Sequence, residues 1–369
     1  MDAPDMNSPE PPIAAAPLPE IRNRTRFPAQ YFQAVDVHDE IFHILVSRVS
    51  HDLEKPDAKG MPTLCEQQQP LTEADRFYGE PGISSTLEES DFAPFKPRCD
   101  VLLAHATAYP PEGRADRRWP VGLRVGECIK KLMTGPRHME RTLSGWKVTT
   151  PEPAQEVPLH YEQAFGGSCR WPETPAEGEE PELLFRHDAN PVGCGYAPPE
   201  WTRKSRPERI EAPQIEPYGE PFDNEAANRQ AYPVQGVGAI GRGWAPRIAH
   251  AGTYDRHWQK ERWPRLPRDF DFAYWNCAPP DQQIAYPGGG EPVILAGLRP
   301  GGGRFQSRVP GNPPFTLVRL KIGPIIPTAM PLDTLIFDLR EMRLTCVYRL
   351  AVAARAGVRV LEIRRREGA

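Results

Sequence analysis

The sequence has no long apolar run and no pattern of paired cysteines. No stretch approaches the roughly 18 apolar residues that a membrane-spanning helix requires. The acidic amino terminus, whose only apolar run is 13–16, lacks the basic and apolar regions of a signal peptide. The seven cysteines are scattered and contain no C-x-x-C pair, which is typical of a reducing compartment. We therefore expect a cytoplasmic protein with no membrane partner.

An excess of charge of one sign is also missing. The formal net charge is -4 and the isoelectric point is near 6.2. Such a balance creates no global field that would draw the chain onto nucleic acid or an anionic membrane. We therefore expect no nucleic-acid partner, and any electrostatic partner must be bound by a local patch. Composition leaves the oligomeric state open.

The sequence is instead rich in proline and glycine, with 45 and 30 residues. Proline breaks the helical hydrogen-bond ladder, and glycine weakens a helix interior by about 1 kcal/mol relative to alanine. We therefore expect long helices to be scarce and the core to be built from strands.

Several short runs have the composition of strands. The runs 41–46 and 100–108 are rich in β-formers, and Val121, Leu123 and Val125 alternate with smaller or polar residues. The clearest strand patterns, separated by turn residues or short charged links, lie at 315–322, 334–339, 344–350 and 358–363. The whole pattern predicts a mainly β fold. We expect antiparallel sheets in a sandwich-like or barrel-like arrangement, with long Pro/Gly-rich loops and few short helices.

Composition also divides the chain into three parts. Residues 1–24 are rich in proline and alanine and predict a disordered tail. Residues 25–300 form the main β-rich domain, with an acidic loop excursion around 170–186. Residues 301–369 supply carboxyl-terminal strands, which we expect to pack on the same unit. The glutamates that crowd the excursion are Glu177, Glu179, Glu180 and Glu182.

A glycine-rich run, Gly236-Val-Gly238-Ala-Ile-Gly241, matches the G-x-G-x-x-G pattern of dinucleotide-binding sites. Such a site needs a strand before the run and a helix after it, so that the helix amino terminus holds the pyrophosphate. Here Pro233 precedes the run and Pro246 follows closely, so no helix opens at the right place. We interpret the run as a glycine-rich turn and expect no cofactor.

The segment 242–268 interleaves arginines and a lysine with tryptophans and a tyrosine. Basic grooves lined with aromatic side chains bind single-stranded nucleic acid. The alternative, which the acidic balance of the chain favours, is that the arginines stack on the tryptophans and pair with Asp255, Asp269 and Asp271. In that case the segment braces a rigid surface.

The composition of this part of the chain is also compatible with two kinds of chemical site. His250, Asp255 and His257 carry metal-ligand chemistry, but no paired His/Cys spacing supports a metal, so we expect none. Asp269 and Asp271 have the chemistry of the paired carboxylates of a glycoside hydrolase, and the tryptophans that of sugar platforms. A carbohydrate-binding or glycoside-hydrolysing protein that uses residues 244–281 is therefore the alternative function.

Short motifs along the chain resemble those of one bacterial family. The first are Ser-Asp-Phe-Ala-Pro-Phe-Lys-Pro at 90–97, Tyr-Glu-Gln-Ala-Phe-Gly-Gly at 161–167 and Asn-Pro-Val-Gly-Cys-Gly-Tyr at 190–196. The strongest are Gly-Arg-Gly-Trp-Ala-Pro-Arg at 241–247, Ala-Gly-Thr-Tyr-Asp-Arg-His-Trp at 251–258 and Leu-Pro-Arg-Asp-Phe-Asp-Phe at 266–272. Taken in order along the chain, these motifs resemble the family catalogued as domain of unknown function 2169 (DUF2169).

This resemblance implies a function. Proteins of this kind are adaptors or chaperones of type VI secretion that bring an effector, often one with a PAAR-like domain, to its VgrG spike. The resemblance therefore implies a non-enzymatic protein without catalytic residues, whose partners are a PAAR-like effector and VgrG. Aromatic and arginine side chains are the usual anchors of protein interfaces. The candidate residues for a partner-binding or structural motif are Trp244, Arg247, Tyr254, Asp255, Trp258, Asp269 and Asp271.

Overall fold

The computed structural model describes residues 17–143, 145–173, 180–223 and 232–365, and strands dominate this part of the chain. The first strands are β1 (Glu20–Asn23), β2 (Ala29–Val35), β3 (Ile41–Pro56), β4 (Pro62–Leu64), β5 (Arg76–Phe77), β6 (Thr86–Glu88), β7 (Cys99–Ala104), β8 (Thr107–Ala108) and β9 (Trp119–Val125). The next are β10 (Cys128–Thr134), β11 (His138–Thr142), β12 (Gly145–Val148), β13 (Val157–Pro158), β14 (Phe165–Gly166), β15 (Ser168–Trp171), β16 (Leu183–Arg186), β17 (Cys194–Gly195) and β18 (Arg209–Glu211). The last are β19 (Ile215–Pro217), β20 (Gln283–Ile284), β21 (Pro292–Ala296), β22 (Arg304–Arg308), β23 (Phe315–Leu320), β24 (Ile325–Ala329), β25 (Leu332–Asp338), β26 (Arg343–Ala353) and β27 (Val358–Arg364).

Helices are few and short. Within the described ranges the α-helices are α1 (Pro199–Ser205) and α2 (Arg256–Glu261). Single 3-10 turns lie at Pro111–Gly113, Tyr161–Gln163, Arg247–His250, Phe272–Trp275, Pro280–Gln282 and Ala354–Ala356. The predicted mainly β fold with few short helices is confirmed, because proline and glycine recur too often for longer helices. The barrel-like variant is wrong, since none of the sheets in the described part of the chain closes on itself.

The largest sheet has seven strands in the order β2-β3-β26-β25-β7-β20, with β4 paired to β3. Its pairs are antiparallel except for β25 and β7, which run parallel. Residues directly opposite each other share a face, so the register of Leu45 with Leu350 and of Val49 with Cys346 aligns apolar side chains on one side. This apolar face is buried in the main core.

Two further sheets enclose the same core. A five-stranded sheet has the order β19-β10-β9-β21-β22, and a four-stranded sheet has the order β1-β27-β23-β24. Val121, Leu123 and Val125 of β9 alternate inward into the core cluster that also contains the apolar face of the largest sheet. The intervening Gly122 and Arg124 face outward, as the period-two pattern predicts.

The two ends of the chain meet in the four-stranded sheet. β1 lies within the segment predicted to be a disordered tail, and it pairs in parallel with β27, with Glu20 opposite Val360. The tail prediction is therefore wrong for β1, while residues 1–16 lie outside the described residues. The segment 301–369 contributes strands that pair with β1, β3 and β7.

The segment predicted as an acidic loop excursion contains paired strands. β15 and β16 form an antiparallel pair in which Ser168 lies opposite Arg186. They adjoin a second hydrophobic cluster, which includes Phe165, Tyr196 and Trp201. The described ends of the excursion are thus paired strands that adjoin a core of their own. Glu177 and Glu179 lie outside the described residues.

The second face of the seven-stranded sheet is also buried, and it carries charged and polar side chains beside a small apolar cluster. Arg48 of β3, Asp100 of β7, Thr334 of β25 and Arg349 of β26 are all less than a tenth exposed on this polar face. Buried charges cost several kcal/mol unless they are paired and hydrogen-bonded. Segments 72–98 and 237–282 supply those partners, and they therefore cover the sheet at this face.

Candidate functional site

Asp100 and Lys96 form the centre of the polar face. Lys96 Nζ donates to Asp100 Oδ2 at 2.8 Å and to Thr334 Oγ1 at 3.0 Å. The carboxylate also accepts from the backbone amides of Cys277 and Ala278, at 3.0 and 3.2 Å. Burial lowers the pKa of Lys96, but the charge of Asp100 more than offsets this effect, so the pKa of Lys96 is raised above 10.5. Asp100 thereby fastens the segment after Trp275 to the sheet.

Arg48 and Arg349 extend this network. Arg48 donates to Thr72 at 2.7 Å, to Asp91 at 3.0 Å and to Glu88. Arg349 Nε donates to Asp333 at 2.6 Å, and its Nη1 donates to the carbonyl oxygen of Asp91 at 2.7 Å. Each guanidinium bridges a strand of the sheet to the covering segment 72–98.

Trp244 is an interior residue. It is 7% exposed, and its ring meets the ring of Tyr161 edge to face at 5.4 Å between centroids. A Cβ at Gly241 would lie 2.7 Å from the Trp244 ring, and a Cβ at Gly236 would lie 2.3 Å from the Tyr161 ring. The glycine-rich run therefore leaves room for two aromatic rings, in keeping with its interpretation as a turn.

Arg247 is also interior, at 3% exposed. Its guanidinium makes a two-pronged pair with Glu89, with Nη2 at 2.8 Å, and donates to the carbonyl oxygens of Ile240 and Tyr274, both at 2.7 Å. Burial lowers the pKa of Arg247, but hydrogen bonding to Glu89 and its charge more than offset it and the pKa is raised. With its donors engaged in this way, Arg247 holds the turn that precedes the Trp-rich segment.

The residues 247–275 form a small lobe, which we call the aromatic lobe. Asp255 accepts from the backbone amide of Trp258 at 2.8 Å and thereby caps α2. Trp258 donates its indole N–H to the carbonyl oxygen of Arg265 at 2.9 Å, and the ring of Tyr254 meets that of Trp258 at 4.6 Å. These contacts fix Tyr254, which is 52% exposed, on the surface.

The two remaining candidates are local caps. Asp269 accepts from the amide and the hydroxyl of Thr253, at 3.0 and 2.7 Å, and these bonds lower the pKa of Asp269. Asp271 accepts from the amide of Ala273 at 2.8 Å and contacts His250 Nδ1 at 3.0 Å. Because each carboxylate holds its own turn, this geometry gives no support to the paired acids of the carbohydrate alternative.

Arginines between residues 242 and 268 pair with distant carboxylates. This corrects the expectation that they pair with Asp255, Asp269 and Asp271. Arg262 makes a bidentate pair with Asp39 at 2.8 and 2.9 Å, and Arg265 and Arg268 approach the same carboxylate at 3.5 Å. Hydrogen bonding to Arg262 lowers the pKa of Asp39. Likewise Arg242 pairs with Asp75 at 2.7 and 2.9 Å and lies over the Trp275 ring. Three acids from the first quarter of the chain, Asp39, Asp75 and Glu89, thus brace the segment.

The cysteines and histidines show little sign of reactive chemistry. The seven cysteines are free thiols, of which Cys65 and Cys194 are half-buried and the others buried. Burial raises the pKa of Cys194 to about 12 and that of Cys277 well above 9, so little thiolate forms at neutral pH. In the described part of the chain no group of three or more His, Cys, Asp or Glu side chains has a metal-binding arrangement. Nor is any described helix long and apolar enough to cross a membrane.

The motifs and the buried network together lie within one conserved unit. Residues 39–349 match the family model DUF2169, described as an uncharacterized protein conserved in bacteria. The chain belongs to this family. No curated protein and no solved structure matches it. The DUF2169 region includes Asp39 and the aromatic lobe, whereas β1 and β27 lie outside it.

Asp39 carries a prediction about the aromatic lobe. Asp39→Ala removes the acceptor shared by Arg262, Arg265 and Arg268. A hydrogen bond to a charged group is worth about 1.5 to 3 kcal/mol. We therefore expect amide hydrogen exchange in residues 256–270 to become roughly ten- to a hundredfold faster, as measured by mass spectrometry.

The matched control is Glu261→Gln, which removes an exposed carboxylate of the same lobe that pairs with His257. This variant should exchange like the unmodified chain, because exposed pairs contribute little. Unchanged exchange in Asp39→Ala would show that the lobe is held by other contacts.

Proposed function

We propose that this DUF2169 protein is a non-enzymatic, cytoplasmic adaptor that binds a type VI secretion effector with a PAAR-like domain and delivers it to the VgrG spike. The proposal rests on the resemblance of the motifs to the DUF2169 family and on the exposure and contacts of the side chains in the aromatic lobe. The family match gives the unit that would carry the function, and the aromatic lobe gives it a binding surface.

The observation that carries the proposal is a rigid surface that exposes large apolar side chains. Tyr254 and Trp263 of the aromatic lobe are 52% and 68% exposed, and Ile248 is 46% exposed. Arg262, next to Trp263, is fixed by its bidentate pair with Asp39. Exposed aromatic side chains on a preorganised surface are typical anchors of protein interfaces.

The polar side chains of the lobe support binding rather than catalysis. Asp255, Asp269 and Asp271 each cap a local turn or helix, and Arg247 holds the base of the lobe through Glu89. Side chains committed in this way keep a surface in one shape. An adaptor needs such a surface, because it must bind a secreted protein and later release it.

The test is direct binding to a purified effector that carries a PAAR-like domain. We expect the double variant Tyr254→Ala and Trp263→Ala to bind this effector at least tenfold more weakly, because truncating an interface anchor costs about 2 kcal/mol or more. Binding is measured by calorimetry on the purified proteins. Effector secretion from a deletion strain carrying the variant should fall in parallel.

The control is the double variant Ile83→Ala and Leu184→Ala. It removes two side chains that are 71% and 65% exposed outside the lobe, and it should bind like the unmodified chain. Normal effector secretion from the strain that lacks the protein altogether would exclude the adaptor function. Undiminished binding by the lobe variant would place the contact on another surface.

A further inference from the structure

The outer face of the five-stranded sheet is a second surface with its own chemistry. The register places Gly122 between Lys131 and Ala296, and Arg124 between Ile129 and Ile294. Residues directly opposite each other point to the same side of a sheet. These six side-chain positions therefore share the face turned away from the core, and Tyr218 adjoins them after β19.

A groove of about 360 Å³ runs across this outer face. Its floor is low because Gly122 has no side chain and Ala296 has only a methyl group. A Cβ at Gly122 would lie 2.8 Å from the carbonyl oxygen of Lys130, so glycine is required there. Ile129 and Tyr218, which are 57% and 56% exposed, stand beside the groove. The groove has the size and lining for an apolar side chain.

The surroundings of the groove are cationic. Arg124 and Lys131 line it, and Arg304 and Arg308 of the edge strand β22 point to the same side. All four are exposed, and none forms an ion pair with a described residue. A carboxylate on the same side, Glu216, is buried and already paired with Arg118 and Arg137. This local excess of positive charge contrasts with the net charge of -4 for the chain.

We propose that the outer face of the five-stranded sheet binds an acidic protein segment, with one apolar side chain of that segment in the groove. Charge complementarity selects such a partner, and the groove supplies the apolar contact that desolvated interfaces need. The inference does not depend on the proposed function, because it uses a different surface and predicts binding by a defined probe.

Two other occupants fit the face less well. A two-fold dimer through this face would bring the same four cations of each copy together, and like charges at an interface repel. Single-stranded nucleic acid is bound by several stacking aromatic rings, whereas the groove offers only Tyr218 beside aliphatic side chains. An acidic protein segment uses both the cations and the groove.

The test uses a fluorescein-labelled peptide of alternating glutamate and isoleucine, with a lysine-isoleucine peptide of equal length as the control probe. We expect the acidic peptide to bind the full chain, more weakly as salt is added, and the lysine peptide to bind at least tenfold more weakly. The double variant Arg124→Glu and Lys131→Glu should weaken binding of the acidic peptide at least tenfold. Ala296→Phe, which fills the groove without changing the charge, should also weaken it several-fold.

The matched control reverses two exposed arginines elsewhere, Arg203→Glu and Arg359→Glu, and should leave the affinity unchanged. Circular dichroism verifies that each variant is folded. The proposal fails if the acidic peptide does not bind or if the control variant weakens binding equally. Two further results would overturn it. One is that the unmodified chain forms a dimer in sedimentation velocity and that the Arg124 and Lys131 variant dissociates this dimer. The other is that the unmodified chain binds a labelled oligouridine more tightly than the acidic peptide and that the same variant abolishes this binding.

Discussion

Asp100→Asn is expected to lower the free energy of unfolding by about 3 to 5 kcal/mol. Asp100 is fully buried, and its carboxylate accepts hydrogen bonds from Lys96, from the side chain of Asn276 and from the amides of Cys277 and Ala278. Asparagine replaces one acceptor atom with a donor and leaves Lys96 as a buried cation without a counter-charge. Urea denaturation at neutral pH measures the loss.

Two further variants separate the charge from the hydrogen bonds. Lys96→Met should cost less than Asp100→Asn, because the carboxylate keeps its three N–H donors, and the double variant should be more stable than Asp100→Asn alone. The exposed pair of Glu182 with Lys204 provides the control, and Glu182→Gln should change stability by less than about 1 kcal/mol. An equal cost for Asp100→Asn and Glu182→Gln would mean that the polar face does not hold the covering segments.

The polar face also explains how the fold positions the aromatic lobe. Asn276, Cys277 and Ala278 bind Asp100 directly after the 3-10 turn Phe272–Trp275, which ends the lobe. At the other end, Arg247 fastens the start of the lobe to Glu89. The aromatic lobe, which contains short helical turns and no strand, is thus fixed at its start by a buried ion pair and at its end by hydrogen bonds to a buried carboxylate. Local strands are not needed to make it rigid.

The strands were predictable from local pattern. The runs at 315–322, 334–339, 344–350 and 358–363 correspond to β23, β25, β26 and β27. Alternation of apolar residues and the turns between the runs are properties of neighbouring residues, which the sequence displays directly. β9 was found in the same way, because its core and outer faces follow the period of two.

The ion-pair partners were not predictable in this way. Arg262 meets Asp39 across 223 residues, and Arg247 meets Glu89 across 158 residues. The arginine-rich segment contains nearer aspartates, so local spacing favoured the wrong partners. The choice is made by topology, which brings the turn between β2 and β3 beside the aromatic lobe. No signal in the sequence marks Asp39 as the acceptor of three arginines.

The strand β1 was missed for a related reason. Residues 20–23 follow a proline-rich stretch and contain little to bury, so composition indicates disorder. The strand forms because β27 offers an unpaired edge, along which Ile21 lies opposite Leu361. Pairing with a distant strand outweighs weak local propensity.

His51 makes the stability depend on pH. It lies in β3 opposite Leu344 and is 6% exposed. Burial, aided by the positive charge of Arg365, lowers the pKa of His51 from 6.5 to about 4. The unfolded chain therefore takes up this proton as pH falls through 6.5, while the folded chain resists it until about 4. The stability that depends on neutral His51 should be fully present above pH 6.5 and should decline as pH falls from 6.5 to 4. The total loss from this residue should be about 3 kcal/mol.

Urea denaturation at a series of pH values between 7.5 and about 4.5 measures this decline, and His51→Leu identifies its source. Leucine cannot titrate, so the variant should lose much less stability over this pH range. Three carboxyl groups also make the fold less stable as pH falls, because their pKa values are lowered below those of ordinary carboxyls: Asp39, Asp75 and Glu162. Their effect comes at lower pH than that of His51, since their stabilisation is lost only when they are protonated. A decline above pH 5 that persists unchanged in His51→Leu would therefore assign the acid sensitivity to another buried group, such as His43, whose pKa is also lowered by burial.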